Sequence, residues 1–190
     1  MTDVAALPFD QYQRYRLASD LLDEVRPKGT TWSVLDVGGR TALLRSFLPR
    51  DRVVPVDLEA SSERPLVLGD GSALPFADAS FDAVVCVAAF KNFTDPLGAL
   101  NEMHRVLRPG AEASIFDLRK DASLQDIEAG VRDMHLSAWN AFLTRWAFRL
   151  MLLKRAYSRE QLERMAALSR FGRAVISEDG IGLEITLKKA

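Results

Sequence analysis

Four short apolar runs, Ser33–Val37, Val53–Val56, Leu66–Leu68 and Ala83–Val87, alternate with helical segments, and that alternation leaves few folds open to the chain. Runs that are apolar at consecutive positions suit strands buried on both faces, as in a parallel sheet. Parallel neighbours require crossover connections, which the intervening helices supply. The clearest crossover is a predicted helix over Asp95–Leu107. Asp95 can cap it, Pro96 suits its first turn, and Leu97, Leu100, Met103 and Leu107 share a face. Pro109-Gly110 ends it, and Ala113–Leu118 reads as the next strand. A leading helix over Asp10–Val25 places Tyr12, Tyr15, Leu17, Leu21, Leu22 and Val25 in helical rhythm and stops before Pro27 and Gly29.

After Lys120 apolar residues recur at Leu124, Ile127, Val131, Met134, Ala138, Phe142, Trp146, Leu150 and Leu153, which predicts one long helix or two, with Gly130 as a weak spot. Between Trp139 and Leu153 the apolar residues fall on nearly every side, as in a helix packed in a core or a lid over a pocket. Ser158 and Gln161 form a capping-box pattern opening a helix to about Ser169. Two runs, Ala174–Ser177 and Leu183–Leu187, flank a glycine-containing turn and predict a closing hairpin. The expected architecture is α/β: a Rossmann-like doubly wound sheet, mostly parallel, with an antiparallel C-terminal hairpin strand. Residues 1–190 are expected to form one domain, with residues 121–157 a helical insertion or lid within it.

Composition narrows the function. With 25 basic and 26 acidic residues the net charge is −1, so no nucleic-acid partner is expected. The charge is unevenly spread: Asp51–Glu102 holds nine acids and three bases, whereas Asn140–Arg173 holds eight bases and two acids. That basic stretch is either a solvated face or a surface for an anionic substrate or lipid headgroups. One cysteine and two histidines give no disulfide framework and no zinc spacing, so no metal is expected. Cys86, within an apolar run, reads as a small buried hydrophobe. The N-terminus has no basic region followed by an apolar core, and the stretch Ala141–Leu153 is too short and too charged to span a bilayer. A cytoplasmic location is expected, with peripheral membrane contact the one exception the basic helices leave open.

In a doubly wound sheet, ligands sit beyond the carboxyl ends of the strands, where strand order reverses. Three strand ends carry suitable groups. After the first come Asp36-Val37-Gly38-Gly39-Arg40-Thr41-Ala42, a tight turn whose backbone amides could receive a carboxylate. The second ends in Asp57, able to accept from both hydroxyls of a ribose. The third ends in Asp70-Gly71, where a carboxylate can accept from an adenine amino group and glycine lets the backbone approach the ring. Together they outline a nucleoside-shaped cleft.

Val34-Leu35-Asp36-Val37-Gly38, Asp57, Asp70-Gly71-Ser72-Ala73-Leu74-Pro75-Phe76, Ser80-Phe81-Asp82 and Arg105-Val106-Leu107-Arg108-Pro109-Gly110 resemble the class I S-adenosylmethionine-dependent methyltransferases of the broad methyltransferase type 11 group. The resemblance covers about Ser33–Leu118. It implies a seven-stranded sheet, S-adenosylmethionine as cofactor, Asp36 and Gly38 near its methionine moiety, Asp57 on the ribose and Asp70 near the adenine. It implies methyl transfer to a small-molecule acceptor.

The glycine loop of that group reads D-x-G-x-G-x-G, and here Arg40 and Ala42 stand at the second and third glycine positions. Arg40 can turn outward, pair with the cofactor carboxylate, or weaken binding. The last case would make the chain a catalytically degenerate binding or regulatory protein. A dinucleotide-binding reading fails at two glycines of G-x-G-x-x-G. Ala89-Phe90-Lys91-Asn92-Phe93-Thr94-Asp95 is similar to the Arg-Asn segment of ubiquinone/menaquinone-biosynthesis C-methyltransferases, with Lys91 replacing Arg. The candidates for acceptor chemistry are Lys91 and Asn92 at the fourth strand end, His135 and Tyr157. Trp139, Phe142 and Trp146 could wall an acceptor pocket, though their spacing fits plain core equally well.

Overall fold

The computed structural model describes residues 9–61, 66–134, 136–147 and 153–190. Helix α1 (Phe9–Val25) leads into β1 (Ser33–Val37), a single short turn of helix α2 (Leu44–Phe47), β2 (Arg52–Asp57), β3 (Val67–Leu68) and β4 (Phe81–Val87). Then follow α3 (Pro96–Val106), β5 (Leu107–Leu118), α4 (Leu124–Asp133), α5 (Ala138–Ala147), α6 (Leu153–Arg155), α7 (Arg159–Leu168), β6 (Val175–Asp179) and β7 (Gly182–Lys188). The strands form one sheet in the order β3-β2-β1-β4-β5-β7-β6. The first five are parallel, and β7 runs antiparallel to both β5 and β6. This is the expected mostly parallel doubly wound sheet. Its order reverses between β1 and β4.

The consecutive apolar residues of the central strands are divided between two faces, because successive side chains point to opposite sides. Leu35, Val37, Val84 and Cys86 pack with Leu100 and Met103 of α3 and Leu162 and Ala166 of α7. Val34, Ala83, Val85 and Val87 pack with Tyr15, Ala18 and Leu22 of α1 and with Leu44. Asp36, two residues from Val34, shares the α1 face and is fully buried. A smaller cluster of Leu118, Ile127, Val131 and Ala156 fastens α4 to the sheet edge.

Local chemistry sets the element ends. Asp95 accepts from the Gly98 amide at 2.8 Å and Pro96 opens α3. Ser158 and Gln161 form the predicted capping box of α7. A second box, Ser123 with Asp126, starts α4; the apolar rhythm concealed it.

Three expectations are corrected. Strand β5 begins at Leu107 rather than Ala113, because Pro109-Gly110 ends the helix yet is carried inside the strand, with Gly110 at φ +79°. After Lys120 the described helices are α4, ending at Asp133, and α5, starting at Ala138; Gly130 does not break the rhythm but lies within α4, where a Cβ would meet the Ile181 side chain. Trp139, Phe142 and Trp146 are not core: all three are exposed on α5. The whole helical segment leaves the sheet at Arg119 and rejoins it at Tyr157, the two residues forming a parallel bridge.

Candidate active site

The reversal of strand order opens a cleft of about 660 Å³ at the carboxyl ends of β1, β2 and β4, a size suited to a nucleoside-containing ligand. Its floor requires glycine. Gly38 has φ +79°, and a Cβ there would lie 2.3 Å from that of Ala89, so a side chain would wedge the β1 and β4 ends apart. Both Gly38 and Gly39 donate to the Val56 carbonyl, at 2.8 and 3.2 Å. These two amides tie β1 to β2 and are not free to receive a carboxylate, as the turn sequence had suggested. The helix expected directly after the turn starts only at Leu44.

Asp57 lines the cleft from the end of β2 and its Oδ1 accepts from the Glu59 amide at 2.9 Å. Asp70 and Gly71 line it beyond β3. The Ser72 amide and hydroxyl both donate to Asp70 at 2.8 Å and lower its pKa, keeping it an acceptor. Behind the floor, Asp36 is buried with Oδ2 unpartnered. Burial first, and the Asp57 charge second, push its pKa up to about 7. A buried carboxylate oxygen lacking a donor costs the apo fold and equips it for a cationic or N–H-bearing ligand.

Arg40 pairs with Glu59 at 2.6 Å, both side chains exposed at the rim of the cleft that both line. Ala42, at the third glycine position, has φ +52°, so the loop keeps a left-handed conformation without the residue that adopts it freely. Ala88, on the cleft wall after β4, has φ +57°. Strained backbone thus gathers around the cleft.

Of the acceptor-side candidates, Asn92 lines the cleft with Phe93 and Thr94. Lys91 does not. Its Nζ is held by Asp117 Oδ1 at 2.8 Å and the Ala88 carbonyl at 2.6 Å, while its amide donates to Asp117 Oδ2 at 2.9 Å. This nearly buried pair fixes the short 3-10 turn Phe90–Asn92 onto β5, so Lys91 positions Asn92 rather than acting as a free base. Tyr157 packs its ring on Phe90 at 5.8 Å, away from the cleft lining. His135 lies outside the described residues.

Sequence reasoning missed several contributors. Arg14 and Tyr15 of α1, and Arg155 of α6, line the cleft. Tyr15 stacks on Phe47 and lines the cleft from the α1 side. Asp117 sits at the expected end of a strand but gave no motif. Glu102 receives the Leu74 amide, while Arg105 reaches the Leu74 and Phe76 carbonyls. Two separate stretches of the methyltransferase-like pattern are therefore one unit, the α3 pair holding the loop that follows Asp70.

Residues 35–115 match the family model described as "Methyltransferase domain". A demethylmenaquinone methyltransferase of Streptomyces avermitilis is 33% identical over 143 residues, covering 60% of this chain and 60% of that protein. The chain thus spans less than two thirds of that relative's length. A SAM-dependent methyltransferase from Aquifex aeolicus superposes with TM-score 0.65 at 15% identity over 100% of both chains. The plantazolicin methyltransferase BpumL, solved with a substrate analogue and SAH, gives TM-score 0.67 at 15% identity, covering 97% of this chain and 86% of that one. The fold of this chain is that of the SAM-dependent methyltransferases, as the sequence resemblance implies.

Proposed function

We propose that this chain, which carries a methyltransferase domain on the class I fold, transfers the methyl group of S-adenosylmethionine to a small-molecule acceptor. The observation that carries the reading is the pair of acids lining one cleft beyond successive strands, Asp57 and Asp70, with Asp36 buried behind its floor and its Oδ2 without a hydrogen-bond partner among the described residues.

The residues present fit the cofactor. Asp57 would accept from the ribose hydroxyls, Asp70 from the adenine amino group, and Asp36 would meet the positive methionine end across Gly38 and Gly39. Gly71 lets backbone approach the base, and Arg40 with Glu59 borders the ribose side. When bound, the cofactor supplies a sulfonium methyl open to in-line displacement. The chain's task is then alignment and exclusion of water. Asn92, held in place by the Lys91–Asp117 pair, orients the acceptor, and Phe93 gives it an apolar wall. Residues 121–157 act as a cover within a single domain. The relative's printed substrate, demethylmenaquinone, makes an electron-rich aromatic ring the first acceptor to try. The use of S-adenosylmethionine, made and consumed inside cells, supports a cytoplasmic location.

The binding-only reading rests on Arg40 in the loop and on the absence of an obvious general base; the pairing of Arg40 with Glu59 weakens the first of these. Isothermal titration with S-adenosylhomocysteine tests the site: saturable one-to-one binding, weakened at least tenfold by Asp57→Ala, is expected. Absence of binding to folded protein overturns the proposal. Turnover of cofactor only when a metabolite extract is added would separate enzyme from binder.

A further inference from the structure

Helix α5 is inside out for a helix in a soluble core. Trp139, Phe142, Leu143 and Trp146, spaced as one helical face, are 68%, 54%, 45% and 54% exposed. Trp139 and Phe142 stack on each other at 6.0 Å instead of packing inward. The inward contact is made by a small residue, Ala141, against the cluster built on Ile127 and Val131. Leu136, just before the helix, is also exposed. An apolar stripe this concentrated marks a surface meant to be covered.

Charge identifies what covers it. From Leu136 to Ser158 the sequence contains no acidic residue and four bases, Arg145, Arg149, Lys154 and Arg155. Arg145 lies with Ala141 on the α4 side of the helix, beside Glu128, and Lys154 and Arg155 are exposed on α6. An aromatic apolar face within a stretch that carries bases and no acid, on a helix too short to cross a bilayer, matches the interfacial mode: rings among the acyl-headgroup boundary and cations on anionic headgroups. A second copy of this chain would bring like charges together along the same edge. Among the described residues, no helix is long and apolar enough to span a membrane.

We infer that α5, with the basic residues that follow it, docks this protein on an anionic lipid surface. Arg155 also lines the cleft. The inference does not require methyl transfer, since binding to lipid and binding to cofactor are separate measurements.

The test is co-sedimentation of the full chain with phosphatidylglycerol-containing vesicles and with pure phosphatidylcholine vesicles, at low and high salt. Expected are binding to the anionic vesicles, a blue shift of tryptophan emission, weakening by salt, and loss of about tenfold or more in partitioning for the triple variant Trp139→Ser/Phe142→Ser/Trp146→Ser. Arg145→Glu with Lys154→Glu should weaken binding while leaving the ring face intact. S-adenosylhomocysteine titration of each variant, unchanged, shows that it folds. Failure of the parent chain to sediment with anionic vesicles at low salt overturns the inference. So does sedimentation indifferent to the triple substitution, or a dimer in light scattering that the triple variant dissociates while lipid binding is absent.

Discussion

Two ion pairs, one on the rim of the cleft and one behind its wall, look alike in distance and differ in burial. Lys91 and Asp117 meet at 2.8 Å with side chains 10% and 5% exposed, whereas Arg40 and Glu59 meet at 2.6 Å with 54% and 71% exposed. Distance alone would rank them equal. Burial separates them, because water screens the exposed pair and supplies substitutes for either partner, while the buried pair has only the protein to satisfy it. The buried pair therefore fixes the acceptor wall, and the exposed one merely occupies the rim.

The largest effect should follow from breaking the buried pair. Asp117→Asn leaves the Lys91 ammonium nearly buried with neutral acceptors and no counter-charge, and should cost about 3–5 kcal/mol in denaturant unfolding. The double variant Lys91→Met/Asp117→Leu, which removes both charges, should recover most of that loss while lowering acceptor turnover. A double variant as unstable as the single one would show that the pair does more than compensate itself.

Asp36 sharpens the comparison as a buried carboxyl whose Oδ2 has no hydrogen-bond partner among the described residues. Its pKa, raised to about 7, means that its contribution to the stability of the apo chain is fully present below the ordinary carboxylate range. That contribution is lost as pH rises through about 7. A ligand that pairs with the ionised form reverses the preference. The affinity for S-adenosylhomocysteine should fall about tenfold for each pH unit below 7 and level off above it, with Asp36→Asn weak and flat across the range. A parent profile as flat as that of the variant would sink the assignment of Asp36 to the cationic end of the ligand.

Ala42→Gly probes the loop beside Arg40. Releasing a left-handed alanine should stabilise the chain by about 0.5–1 kcal/mol, seen as a modest rise in Tm without loss of ligand affinity. The smallest effect belongs to the exposed pair. Glu59→Gln should change stability by about 0–1 kcal/mol, and any change should shrink further in high salt. If Glu59→Gln were as damaging as Asp117→Asn, the distinction between the two pairs would be wrong.

Strand-end acids were legible because a parallel strand buried on both faces shows itself as a continuous apolar run, and the residues just beyond the run are then the residues at the cleft. Asp57 and Asp70 were found that way, and Asp36 as the one acid near the end of such a run. Asp117 stands at the end of β5 by the same logic, yet no glycine or turn signal drew attention to it. Its importance comes from Lys91, 26 positions earlier in the chain, lying against it. Arg14, Tyr15 and Arg155 were hidden for the same reason: they belong to helices whose approach to the cleft is a matter of packing, not of local pattern.

The aromatic residues of α5 show the limit from the other side. Helical spacing is the same whether a stripe faces a core or a solvent boundary, so periodicity could not tell Trp139, Phe142 and Trp146 from ordinary core. Their exposure depends on α4 being capped at Ser123 and on α5 turning Ala141 inward. What the sequence determined by itself was whatever is encoded in near neighbours: the alternation of strands and helices, the caps, the hairpin and the acids at the strand ends. What only the tertiary structure decided was which charges are dry and which are wet. Arg40 went to the rim and Lys91 to the interior because solvent exposure is set by everything that packs around a residue, and no local window contains that information.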